Sequence, residues 1–378
     1  MKLRYLVVLI WAAALAAQTP AERKIARAQR AIAADPSNYR HYNDLALGRA
    51  QRAREAGDSP FYLEAEKTLK ESFRLAPGNF EGQKALVWVL LGKHEFGPAL
   101  ELAQELNHRM PDDVLIYGFL ADAHAELGNY EAAERAVQWM LDLRPGNVPA
   151  LTRGAYLREL FGDLEGAIDF MQAAFQRVPS DQVEDRAWIL THLAHLHRLA
   201  GRYELAARLA ERALEAFPGY HYALGQLARI RTAQGRLAEA VQLLRQRFEA
   251  APHPENLYEL AVALKHSGEA GEADKCFRSF EEQARGESAG WDNANRELVF
   301  YYADHAGKPE EALRIAQAEF ARRKDVYTRH AYAWALFCNG RTAEAKQEID
   351  VVLAVGTRDP EVLAHAEAIR QARPTPGP

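Results

Sequence analysis

Along most of this chain, apolar side chains return at steps of three and four rather than two, in amphipathic stretches broken by single glycines and prolines. That period belongs to helices with one buried face. Alternating runs of Val, Ile and Thr bounded by turn residues, the mark of strands, are missing. The pattern predicts an all-α chain.

The breaks are themselves periodic. Pro77, Pro111, Pro145 and Pro179 stand 34 residues apart, as do Pro218 and Pro252. Twelve positions before each lies an alanine: Ala65, Ala99, Ala133, Ala167, Ala206 and Ala240. Ala273, Ala312 and Ala345 take the matching place in later units that lack the proline. Another small residue comes twelve positions earlier still, at Ala121, Ala155, Ala194, Ala228, Ala261 and Ala333. Between the two helices of a unit sits a glycine: Gly128, Gly162, Gly201, Gly235, Gly268, Gly307 or Gly340. A glycine just past a helix end takes the left-handed conformation without steric cost and lets the chain reverse. The alanines let two antiparallel helices approach closely. Proline cannot continue the helix before it but readily opens the next. The result is a helix-turn-helix unit that cannot bury its apolar face alone, and stacking such units makes a continuous core.

Two runs carry these positions together. One is Tyr117-Gly-Phe-Leu120-Ala121-Asp-Ala-His-Ala-Glu-Leu-Gly128-Asn-Tyr130-Glu-Ala-Ala133, closing at Leu143-Arg-Pro145. The other is Leu193-Ala194-His-Leu-His-Arg-Leu-Ala-Gly201-Arg-Tyr203-Glu-Leu-Ala206, closing at Phe217-Pro218. Both resemble the tetratricopeptide repeat, and the likeness covers nine units over residues 38–358. The resemblance implies a right-handed superhelical α-solenoid of antiparallel helix pairs.

The remainder divides around those units. Residues 18–37 are expected to form an N-terminal capping helix, 38–282 the main run of repeats, and 283–358 further repeats beyond a loop-like break at Gln283–Trp291. Residues 359–372 should close the solenoid as a capping helix, since an end unit must shield its outer face, and 373–378 should be a disordered tail. Extra residues around Ala56–Pro60 are expected to lengthen one turn, and Ser180–Asp185 to separate two units. At the start, basic Met1-Lys2-Leu3-Arg4, an apolar stretch to Ala17 and small residues at Ala14, Ala16 and Ala17 have the layout of a signal peptide over residues 1–17. The apolar run is shorter than the roughly 20 residues of a membrane span. An exported chain, periplasmic or secreted and without a membrane span once cleaved, is therefore expected.

Charge and cysteine content alter this picture little. There are 47 Lys and Arg against 52 Asp and Glu, for a net charge of −5, which argues against nucleic-acid binding. Cys276 and Cys338 have no disulfide spacing framework and read as buried thiols. No Gly-rich phosphate loop, Gly-x-Ser-x-Gly elbow or His-Glu-x-x-His occurs. His192 and His195 share a helix face, but no Cys or carboxylate of that helix completes a metal set, so neither metal nor cofactor nor catalytic residue is assigned.

What remains is the inner face that the family resemblance implies. In tetratricopeptide proteins the first helix of each unit lines the concave side, where peptides and protein segments generally bind. Carried onto this sequence, those positions are Lys84, Trp88, Asp122, Thr152, Tyr156 and Glu159 in the early units. Trp188, His192, His195, Arg198, Tyr222, Gln226 and Arg229 follow, then Tyr258, Lys265, Tyr301, Trp334 and Phe337. Aromatic residues beside Arg and His are what binding hot spots are rich in. Some of these rings are expected to pack between units instead. The leading expectation is a non-enzymatic exported scaffold that docks a protein or peptide partner, in envelope assembly. The competing readings are a small-ligand sensor built on Tyr156, Trp188 and Tyr222, and an envelope-polymer hydrolase using Asp122 and Glu159.

Overall fold

A computed structural model describes residues 18–291 and 293–372; the signal-peptide and tail assignments lie outside the described residues. Helix α1 (Pro20–Ala34) is followed by nine hairpins. These are α2 (Tyr39–Ala56) with α3 (Pro60–Leu75), α4 (Phe80–Gly92) with α5 (Phe96–Arg109), and α6 (Val114–Glu126) with α7 (Tyr130–Leu143). Next come α8 (Val148–Leu160) with α9 (Leu164–Arg177), α10 (Val183–Leu199) with α11 (Tyr203–Ala216), and α12 (His221–Ala233) with α13 (Leu237–Ala250). The last three are α14 (Pro254–His266) with α15 (Ala270–Glu287), α16 (Asn295–Phe300) with α17 (Pro309–Arg322), and α18 (Val326–Cys338) with α19 (Thr342–Val355). Helix α20 (Pro360–Gln371) closes the array. No strand occurs among the described residues. The fold is an all-α superhelical solenoid.

The small residues do the work their spacing implied. Ala65, Ala99, Ala133, Ala167, Ala206, Ala240, Ala273, Ala312 and Ala345 are all at most 1% exposed. Their counterparts Ala121, Ala155, Ala194, Ala228, Ala261 and Ala333 are buried with them. A larger side chain at either place would push the paired helices apart. The seven inter-helix glycines have φ between 61° and 89°, the left-handed region in which a Cβ is costly.

Three departures differ from what the sequence suggested. The residues around Ala56–Pro60 lengthen the helices and leave the turn short: α2 has 18 residues and α3 has 16. The insert after Pro179 is only partly loop, because Val183, Glu184 and Asp185 add a turn to the front of α10. The break placed at Gln283–Trp291 is narrower, since α15 stays helical to Glu287. Helix α16 then widens into a π-helical turn over Tyr301–His305.

Candidate binding channel

The concave face is not an open groove, because units a full superhelical turn apart touch. Arg54, at the end of α2, pairs with Glu184 and lies 3.1 Å from Asp185 on α10. The Arg54 carbonyl accepts a hydrogen bond from His221 of α12 at 3.2 Å. Tyr62 meets Trp291 edge to face at 6.5 Å, and the Lys93 ammonium lies 5.8 Å over the same indole. Further along, Glu126 pairs with Arg323, and the Tyr130 hydroxyl accepts from the Val326 N–H at 2.7 Å. A Cβ added to Gly162 would overlap the Gly356 carbonyl oxygen. The first hairpin thus meets the fifth and sixth, and the second, third and fourth meet the eighth and ninth hairpins or the segments that flank them. The inner face lines a channel.

Inside it, most side chains assigned from the sequence already hold partners. Lys84 Nζ is 2.7 Å from Asp113, and Asp122 takes two hydrogen bonds from Arg153, through Nε at 2.8 Å and through Nη2. Arg229 pairs with Glu259, which also receives buried Arg247. Trp334 donates to Asp304 at 2.9 Å and stacks on His365 at 3.7 Å. Trp88 packs between two core clusters, and Tyr156 packs against the cluster of the second to fourth hairpins. Tyr258 sits beside Phe280 and Phe277. Three assignments are buried: Glu159, Gln226, and Tyr301, whose hydroxyl lies 3.1 Å from Glu281. The π turn rotates Tyr301 toward α15 and away from the channel wall. Tyr222 keeps an exposed ring, tilted against that of His221 with centroids 3.9 Å apart.

The most ordered polar cluster joins two hairpins. Glu159 of α8, itself buried, reaches His192 and His195 of α10, each Nε2 lying 2.8 Å from one of its carboxylate oxygens. Trp188 stacks on His192 at 5.5 Å. Arg198 donates to His195 Nδ1 at 3.3 Å. A guanidinium can only donate, so His195 accepts at Nδ1 and carries its proton on Nε2, toward Glu159. Burial lowers the pKa of His195, with Glu159 countering only in part. Burial also opposes ionisation of Glu159, but the two imidazoles override it and hold this carboxyl well below the usual range.

Two cavities open off the channel. The smaller, about 250 Å³, lies between Asp122, Glu126, Arg153, Tyr156 and Arg323. The larger, about 660 Å³, runs from α10 across α12, α14 and α16 to the start of α20. Arg198, Arg229 and Tyr258 of its wall were expected from the sequence. Arg296, Tyr327, Asp359 and Glu361 were not. Arg296 and Tyr327 do lie on first helices of their units, while Asp359 and Glu361 belong to the closing helix, which the repeat register does not cover.

Stacked antiparallel hairpins around an inner channel define a helical-repeat solenoid. Profiles of the tetratricopeptide repeat match residues 197–264, and separately 115–139 and 326–350. The chain carries tetratricopeptide repeats over these residues, and the same hairpin continues through the unmatched units. Solved structures of similar shape include human IFIT1, as a dimer with m7Gppp-AAAA, at 14% identity and TM-score 0.54, covering 87% of this chain and 85% of that one. The Cut9–Hcn1 hetero-tetramer of APC/C is similar at 13% identity and TM-score 0.49; 86% of this chain is covered, and it spans 55% of that chain. PilW, a type IV pilus biogenesis factor, matches at 15% identity and TM-score 0.47, over 54% of this chain and 92% of its own. These likenesses are of fold alone. No curated protein matches the sequence.

Proposed function

We propose that the protein is an exported interaction scaffold that takes an extended segment of a protein or peptide partner into its superhelical channel. The observation that supports this most is the 660 Å³ cavity, where charged side chains and the rings of Tyr258, Phe300 and Tyr327 share one wall. Such mixed lining suits a peptide, which offers amides, charges and apolar side chains at short intervals. The layout of residues 1–17 supports export, and a role in envelope assembly is the setting we infer from it. No helix among the described residues is long and apolar enough to cross a membrane. The carboxylates that a hydrolase would use, Asp122 and Glu159, are tied to Arg153 and to two histidines, which favours the scaffold reading.

Photo-crosslinking tests it. Benzoylphenylalanine replaces Val262, which lines the cavity, or Glu131, whose side chain is 94% exposed, in the full chain within cells. A partner adduct formed from position 262 and not from 131 is expected. Adducts only from position 131 would place docking on the outer surface and overturn the channel reading.

A further inference from the structure

The large cavity has an unbalanced distribution of charge. Arg229 is matched by Glu259, and Arg296 by Glu297 at 3.0 Å. That leaves Arg198 on one wall. Its Nη2 reaches only the His195 ring, its Nε has no hydrogen-bond partner, and no carboxylate lies within ion-pair distance. On the helix that closes the array, Glu361 has no partner for its carboxylate, and Asp359 spends Oδ1 on capping α20, accepting from the Glu361 and Val362 N–H groups at 2.9 and 3.2 Å. Burial lowers the pKa of Arg198, with Arg229 adding to it and Asp359 and Glu159 opposing, and burial followed by Asp359 raises that of Glu361, with Arg296 opposing. Arg198 is half-buried and has no ion-pair partner, whereas Glu361 is exposed and lines the same cavity without one. A half-buried cation without a partner is costly unless something supplies the opposite charge.

The cation belongs to the fifth hairpin, and the anions to the closing helix and its cap. They line one space of about 660 Å³, within the roughly 300–1,000 Å³ of small-ligand sites. An occupant that satisfies both must carry an anion and a cation separated by a spacer. Tyr258, Phe300 and Tyr327 line the same space, which favours apolar or aromatic groups between the two ends.

We propose that this cavity is a binding site for a short free peptide held by its two ends, with the carboxylate on Arg198 and the ammonium on Glu361 and Asp359. The inference rests on the channel reading above and narrows it: the occupant is recognised by its termini, and an internal segment of a longer chain would leave both charges unmet. Because α20 supplies one of the two contacts, occupancy also ties the closing helix to the fifth hairpin.

Calorimetric titration of the full chain with Ala-Phe-Ala provides the test, beside its N-acetylated and its C-amidated forms. The free tripeptide should bind, and either cap should weaken binding at least tenfold. Arg198→Met should cause the same loss toward the free peptide and none toward the amidated one, because the missing partners are the two halves of one contact. Glu361→Gln should do the same for the acetylated form. Arg198→Met removes an unpaired charge and should fold normally, which far-UV circular dichroism checks. Equal binding of free and capped peptides would overturn recognition by the termini while leaving the channel as a peptide site. Absence of binding by all three forms would overturn the proposal, and the crosslinking at position 262 reports on the channel separately.

Discussion

Glu126 and Arg323 stand 197 residues apart in the chain and form an ion pair that ties the end of α6 to the entrance of the ninth hairpin. Arg323 also holds Asp325 at 2.9 Å, and the Lys324 N–H donates to the Glu126 carbonyl at 3.1 Å. One cation between two carboxylates at a buried seam makes the superhelical closure sensitive to protonation.

That sensitivity has a definite sign. Glu126 is pushed up to about 7, chiefly by burial, with Arg323 opposing and Asp325 and Asp122 adding to it. The folded chain therefore binds this proton more tightly than the unfolded chain, where a glutamate titrates near about 4.3. The stabilisation is fully present below the unfolded value and is lost as pH rises through about 7. Glu126→Gln should remove the slope, the gap from wild type changing by at most about 3 kcal/mol between pH 5 and 8. Urea unfolding at the two pH values measures it, and parallel shifts of both proteins would refute the assignment.

Arg54→Met should be among the most damaging changes at the other seam. It leaves the buried Glu184 carboxylate with only the Tyr220 hydroxyl, 2.8 Å away. Breaking a buried pair from one side typically costs about 3–5 kcal/mol. The α2 contact with α10 should loosen, which hydrogen exchange at the start of α10 would show. Unchanged protection there would mean the seam contributes nothing to closure.

Gly162 and Gly201 hold the same place in their units, with φ of 80° and 73°. Alanine at Gly201 meets nothing within 4 Å and should cost about 1 kcal/mol, the backbone penalty alone. Alanine at Gly162 adds a collision with the Gly356 backbone and should cost clearly more, while prising α20 from the fourth hairpin. Thermal unfolding of the two variants compares them directly; equal losses would falsify the closure at this point.

Glu159→Ala should destabilise the chain by about 1–3 kcal/mol, because His195 loses its acceptor and His192 the carboxylate it faces. The pKa of His195 should fall further, since the carboxylate is what raises it against burial. Histidine titration by NMR reads this shift, and a pKa that stayed in place or rose would exclude the pairing.

The sequence by itself determined the hairpins, their number and their spacing. Ala133 with Ala121, Gly128 between them and Pro145 behind are all local to one unit, so a 34-residue period records them completely. It also reached Arg198, Arg229 and Tyr258 of the cavity wall, because position within a repeat fixes which side of a helix faces inward. Tyr301 escaped that logic through the π turn, and Glu159 with His192 and His195 could not be joined from one helix alone. Only the tertiary structure decided that the superhelix closes, and so that Arg54 meets Glu184, that Glu126 meets Arg323, and that Glu361 lines the same cavity as Arg198. The reason is geometric: each hairpin adds a small rotation to the last, and where a full turn returns is the sum of many such steps, which no single unit's sequence contains.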